Sequence, residues 1–263
     1  MQTLTCAVSP AGVARVEMAR PQVFNAFDET MIGELAELFA RLGSDPAVRV
    51  IVLSGQGKAF SAGADLQWMK RASEATEAWN LADARRFADM LWRIESCPKP
   101  TIARVHGVAL GGGVGLACAC DIALASDDAR FAVSEVRFGI LPSVIGPYLV
   151  NAVGKRHARR LALTARRIDA AEALQIGLVH AVSTAPGLDE LVEQTVDELL
   201  GNGPQAQAEV KQLFAQLAVG PVDEATREHT ARTISRVRMG SEAREGFAAF
   251  LDKRAPGWTA PRA

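Results

Sequence analysis

The sequence predicts an α/β domain followed by a helical tail, and three observations carry that prediction. Strand, strand and helix patterns recur at intervals of roughly 50 residues, as layered repeats without close sequence identity. Val50–Leu53 is a continuous apolar strand bounded by Ser54-Gly55-Gln56-Gly57. From about Leu188 the chain turns to amphipathic helices alone.

Taken in order, Leu4–Val8 and Val13–Met18 read as strands joined by Ser9-Pro10-Ala11-Gly12, a hairpin-like start. RPQVFNAF (Arg20–Phe27) is a loop ending at Asp28, which caps a helix with Met31, Ile32, Leu35, Leu38, Phe39 and Leu42 on one face. KAFSAGADL (Lys58–Leu66) is a loop of small residues entering a helix. Residues 70–80 are polar and alanine-rich and read as mobile. A helix from about Leu81 to Ile94 carries Phe87, Leu91 and Ile94 as its apolar stripe, and Cys97-Pro98-Lys99-Pro100 ends it. Strand Thr101–Val105 leads into a glycine-rich stretch, followed by strands Asp121–Ala125 and Arg130–Val133 and a helix over Pro142–Val153. The tail reads as helices Leu188–Leu200, Gln205–Leu217, Asp223–Val237 and Glu242–Leu251, broken most clearly at Gly201-Asn202-Gly203-Pro204.

Composition narrows the function. The 29 Lys+Arg against 30 Asp+Glu remove any global electrostatic argument for a nucleic-acid partner. No apolar run reaches the roughly 18–20 residues that span a bilayer. The N-terminus alternates like a strand and lacks the order of a signal peptide. Cys6, Cys97, Cys118 and Cys120 form no disulfide framework or zinc spacing and read as reduced core residues. The expectation is a soluble, cytoplasmic protein without a metal. His106, His157, His180 and His229 have no triad or metal partners in the sequence pattern and read as structural.

The chemistry concentrates in Val105–Asp121, VHGVALGGGVGLACACD. A strand enters three glycines and an apolar helix leaves them, which aims backbone N–H groups at something negative or lets a helix pack closely on a sheet. KAFSAGADL presents backbone in the same way, with Asp65 as its ionisable side chain near the turn. An N–H from each stretch converging on one oxygen makes an oxyanion hole. The alternative is an ordinary strand–helix connection.

These two stretches, with RPQVFNAF before them and SEVRFGILP, ARRLALTARRIDAAEALQIGLV and FAAFLDKRAP after them, resemble the enoyl-CoA hydratase/isomerase (crotonase) superfamily over nearly the whole chain. FSAGADLQWM and SEVRFGILPSVIGPY look most like bacterial 3-methylglutaconyl-CoA hydratases of leucine breakdown, and GGGVGLAC is also similar to isohexenylglutaconyl-CoA hydratases. The resemblance implies a spiral of ββα units in residues 1–200, with a helical segment in 201–263 that helps form trimers, often paired as hexamers. It implies an acyl-CoA substrate, no separate cofactor, and two main-chain donors to the thioester oxygen at Ala64 and Gly112. Ala62, Asp65 and Leu66 flank the first donor as substrate contacts. Phe250 and Lys253 match residues that reach the adenine and 3′-phosphoribose of CoA from a neighbouring subunit.

Glu135 matches the family's acid/base glutamate, and Arg137 either pairs with it or faces a substrate carboxylate. Two-glutamate hydratases of the family carry their second glutamate where this chain has Gly115. Water must then be held by something else, such as the backbone near Ser143 or a polar substrate group. The reaction expected is hydration of a branched enoyl-CoA, carboxylated in the 3-methylglutaconyl case. A Δ3-Δ2 enoyl-CoA isomerase using Glu135 alone is the alternative, and an inactive CoA- or RNA-binding relative is a third.

Overall fold

The computed structural model describes residues 1–259. Its larger sheet takes six strands in the order β1 (Leu4–Val8), β2 (Val13–Met18), β3 (Val50–Gly55), β4 (Thr101–Val105), β6 (Ile122–Ser126), β9 (Ala181–Ser183), with β5 (Val108–Leu110) lying outside it. Only the β1–β2 hairpin is antiparallel; the other pairings are parallel. Strand β5 instead begins a second sheet with β7 (Arg130–Ala132) and β8 (Ile168–Asp169).

Each repeat runs from a strand of the large sheet to a short extended segment in the second layer and on to a helix. After β2 the segment is Phe27, which bridges to Ala64, and the helix is α1 (Glu29–Ser44). After β3 it is Ser61, which bridges to Ala109, followed by α2 (Leu66–Glu74) and α3 (Glu77–Glu95). After β4 it is β5 with helix α4 (Gly112–Ala119), and after β6 it is β7 with helix α5 (Gly146–Thr164). This is the ββα spiral expected from the sequence.

Strand β3 is buried along its full length, as a parallel strand covered on both faces must be. One face meets the main core of α1, α3 and α4. The other meets Leu188, Val192 and Val196 of α7 (Leu188–Leu200), which follows α6 (Ala170–Gln175) in the chain. Helices α8 (Pro204–Gln216), α9 (Glu224–Arg238) and α10 (Ser241–Leu251) complete the tail. Arg49 ties that tail back to the core, donating to the carbonyls of Leu200, Asn202 and Trp258. Among the described residues no helix is long and apolar enough to cross a membrane.

Two expectations about elements are corrected. Residues 70–80, read as mobile, are the end of α2 and the start of α3, because Thr76 caps α3 by accepting from Trp79 N–H at 3.3 Å. Polar alanine-rich sequence is good helix sequence once a cap starts it. The helix expected over Pro142–Val153 starts at Gly146 and continues to Thr164, interrupted by Gly154 at φ 71°. Glu135, beyond the end of strand β7, is the first residue of a 3-10 turn, Glu135–Phe138.

Candidate active site

The first candidate donor is placed by a main-chain zipper. Phe27 N–H donates to Gly63 O at 2.8 Å, and Asp65 N–H donates to Phe27 O at 3.0 Å. These bonds use the carbonyl before Ala64 and the amide after it. Because successive N–H groups of extended chain point to opposite edges, Ala64 N–H points away from Phe27. On that other side lies Leu110–Gly112: a methyl added at Gly63 would come within 3.5 Å of Gly112 N.

The second donor belongs to the start of α4. Gly111 is its N-cap, at φ 49° and ψ −116°, a positive-φ geometry that glycine adopts without a Cβ penalty. Gly111 N–H is bound to Ala132 O at 2.8 Å, which fixes this turn to β7. Gly112 is the first helical residue, so its N–H has no intrahelical acceptor. Ala64 and Gly112 N–H, one per stretch, are therefore the two candidate donors. Ala62 and Asp65 present no such donor, since their amides serve Phe24 O and Phe27 O.

Glu135 stands over that helix start: a methyl at Gly111 would lie 3.2 Å from its Oε1. Its Oε2 is buried and without a hydrogen-bond partner. Burial pushes its carboxyl above the ordinary value, only partly offset by the main-chain amides of Glu135 and Ser134. A native carboxyl left buried with an unpaired oxygen is costly unless something else binds there, and such a group is suited to exchanging a proton with a substrate or water.

Arg137 does not pair with Glu135 but is tied to the end of α5. Its Nη2 donates to Ala165 O at 2.7 Å, at the left-handed residue that ends α5. No ion pair with Glu135 is present among the described residues. Ser143 N–H is taken up by Leu141 O at 2.9 Å.

The Asp65 side chain holds the local scaffold. Its Oδ1 accepts from Gln67 and Trp68 N–H, capping α2, and its Oδ2 receives Arg20 Nη2 at 2.9 Å. Burial pulls its carboxyl up, but those amides and Arg20 outweigh it and hold it below the ordinary range. Leu66, next in the chain, is 75% exposed. Phe250, in the last turn of α10, is 83% exposed, and Lys253 follows it at φ 53°. His106 is structural, as expected: Arg104 donates to its Nδ1 at 3.1 Å, so its Nε2–H donates to Gly57 O at 3.0 Å. Among the described residues no cluster of three metal-ligating side chains forms.

The place of a second carboxylate is filled. A Cβ at Gly115 would overlap Ile145 Cγ2 and lie 2.9 Å from Ile145 Cβ, with Leu91 Cδ1 at 3.7 Å. Gly115→Glu alone is expected to lower stability by roughly 1–3 kcal/mol through overpacking. With Ile145→Ala the pair should cost less than the sum of its singles, which a double-mutant cycle on thermal unfolding would show. Additive costs would mean that the two sites do not compete for this space.

Sequence reasoning missed Arg20, Phe27 and Ile145. The first two lie in the quoted RPQVFNAF motif, whose composition gave no sign of what they touch. Arg20 Nη1 donates to Ala26 O at 2.6 Å and lies 3.2 Å from Asp28, so one guanidinium joins the caps of α1 and α2 to the loop that precedes α1.

The family model for enoyl-CoA hydratase/isomerase matches residues 9–261. An enoyl-CoA hydratase of Alternaria alternata is 36% identical, covering 91% of this chain and 78% of its own length. The (E)-benzylidenesuccinyl-CoA hydratase of Thauera aromatica is 32% identical over 94% of this chain and 95% of its own. Among solved structures, an enoyl-CoA hydratase from Shewanella pealeana is similar at a TM-score of 0.94, with 41% identity over 97% of this chain and 96% of that one.

Proposed function

Since the chain belongs to the enoyl-CoA hydratase/isomerase family, we propose that it hydrates a branched enoyl-CoA of the 3-methylglutaconyl type through a thioester enolate. The buried, unpartnered Glu135 oxygen above the start of α4 carries this reading.

The thioester oxygen accepts from Ala64 and Gly112 N–H. The Glu135 carboxylate takes a proton from water as the oxygen of that water bonds to C3, and the electron pair of the double bond moves to the thioester as an enolate. Glu135, now protonated, returns the proton to C2, and the sum is one water added across the double bond. One carboxyl serves both transfers, and its raised affinity for a proton suits the second. Two preorganised donors stabilise the enolate oxygen; in other enzymes losing one such donor costs about 2.7–4 kcal/mol.

A branched, carboxylated acyl chain is supported by the FSAGADLQWM and SEVRFGILPSVIGPY motifs. It is supported too by the Thauera relative, named for a substituted succinyl chain. A homotrimer or hexamer, with Phe250 and Lys253 at the CoA nucleotide of a neighbouring subunit, completes the proposal. Ile145 in the second-glutamate place favours one other reading, the Δ3-Δ2 isomerase, in which Glu135 removes a proton from C2 and delivers it to C4.

The test is to incubate the purified protein with crotonyl-CoA, 3-methylglutaconyl-CoA and a 3-enoyl-CoA while following the absorbance of the conjugated thioester. Loss of absorbance with the carboxylated substrate, and much less with crotonyl-CoA, is the expected result. Gain of absorbance with the 3-enoyl substrate and no hydration of the others would replace the hydratase with the isomerase.

A further inference from the structure

We propose that Phe27 is a positioning residue that fixes the spacing of the two oxyanion donors, an inference that rests on the assignment of Ala64 and Gly112 to the thioester oxygen. One residue touches both sides of the hole. Its main chain brackets Ala64, accepting from Asp65 N–H and donating to Gly63 O. Its ring reaches across to α4 with the tip first. A Cβ on Gly112 would overlap Phe27 Cζ, with Cε1 and Cε2 at 3.0 and 3.1 Å. The ring tip thus occupies the volume that a side chain at Gly112 would need, and α4 comes no closer to Ala64 than the ring allows.

The spacer is itself held on both ends. The ring lies 6.0 Å from Trp68 and 5.2 Å from Phe87, centroid to centroid, and Trp68 and Phe87 meet edge-on at 6.3 Å. Trp68 Nε1–H donates to Asp83 Oδ2 at 3.0 Å, and Asp83, 5% exposed, also receives Arg86 at 2.8 Å. On the backbone side Arg20 binds Ala26 O and Asp65, the residues before Phe27 and after Ala64. A core phenylalanine needs only apolar neighbours. This one is wedged between two main-chain segments whose N–H groups must converge on one atom. Fixed donors work only when held near the productive geometry, and a displacement of about 1 Å can cost about 100-fold in rate.

The experiment compares Phe27→Leu, which shortens the spacer, with Phe39→Leu, a buried α1 position in the same core. Two readouts separate spacing from stability. One is kcat and KM on the best substrate. The other is the infrared carbonyl stretch of crotonyl-CoA labelled with ¹³C at the thioester, bound in a Glu135→Gln background with occupancy checked by equilibrium dialysis. Phe27→Leu is expected to lower kcat by about 10- to 100-fold with KM within about threefold, and to reverse most of the downward shift of the bound carbonyl stretch. Phe39→Leu is expected to lower the unfolding temperature while leaving kcat and the stretch unchanged. Should Phe27→Leu fail to fold, Phe27→Met takes its place, with the same expectations.

A Phe27 variant that keeps the wild-type stretch and kcat overturns the proposal, as does an equal kcat loss in Phe39→Leu. If bound thioester shows no shift even with Phe27 intact, it is the oxyanion assignment beneath the proposal that fails.

Discussion

Glu135→Gln is expected to lower kcat by about 10²–10⁴-fold, the usual contribution of a positioned general acid–base, while CoA-thioester binding stays close to wild type. Glutamine keeps the size and the polar contacts of the site but neither takes a proton from water nor returns one to carbon. Steady-state kinetics with binding measured separately checks this, and a variant at full rate would remove Glu135 from the mechanism. The pH dependence has a definite sign. Burial raises the Glu135 carboxyl above its ordinary value, and the carboxylate form is the one that accepts the water proton. Wild-type kcat/KM should therefore fall as pH drops through that raised value, and the variant should lack this limb. Stability moves the other way. The native state holds this proton more tightly than the unfolded chain, so native stability falls as pH rises from the ordinary carboxylate range through the raised value. Glu135→Gln escapes that loss. Its unfolding temperature should exceed that of wild type above this window, and the advantage should vanish below it.

Gly112→Ala should reduce kcat by about 10²–10³-fold, the scale seen when one oxyanion donor is removed, although the substitution deletes no donor. The added methyl needs the volume that Phe27 Cζ already fills, and Trp68 and Phe87 leave that ring little room to turn. Either the start of α4 backs away or the ring is displaced, and in both cases the two N–H groups no longer aim at one point. Overpacking should also cost roughly 1–3 kcal/mol of stability. Alanine's helix propensity, about 1 kcal/mol better than glycine's, works against that cost but does not restore the geometry. Gly33→Ala in α1 isolates the propensity effect, since a methyl there meets nothing within 4 Å. It should raise the unfolding temperature slightly and leave kcat alone. A folded Gly112→Ala protein with wild-type kcat would show that the contact between α4 and the Phe27 ring does not set the donor geometry.

Where an element announces itself locally, reading the sequence succeeded. Asp28 caps α1 by accepting from Met31 N–H at 3.1 Å, and the apolar stripe from Met31 to Leu42 is the buried face. The hairpin, the buried strand β3 and the helices of the tail follow from patterns of two and 3.6 residues within one window. Segment 70–80 misled because its composition was weighed without its caps, Asp65 and Thr76, which start the helices on either side of the break. The position of Glu135 was legible only through its motif. That it begins a turn, and that burial leaves one oxygen unpaired, depends on where β7 ends against α4.

By itself, then, the sequence determined the family, the repeating layers and the backbone stretches proposed to supply the oxyanion donors, because each is written in contiguous residues. Tertiary structure decided what surrounds them. Ile145 fills the space that Gly115 opens, Arg137 turns to Ala165 instead of Glu135, and the ring tip of Phe27 sets how near α4 comes to Ala64. The reason is physical: a glycine specifies a vacancy, and close packing lets a residue from any part of the chain fill it, so no local pattern names the occupant.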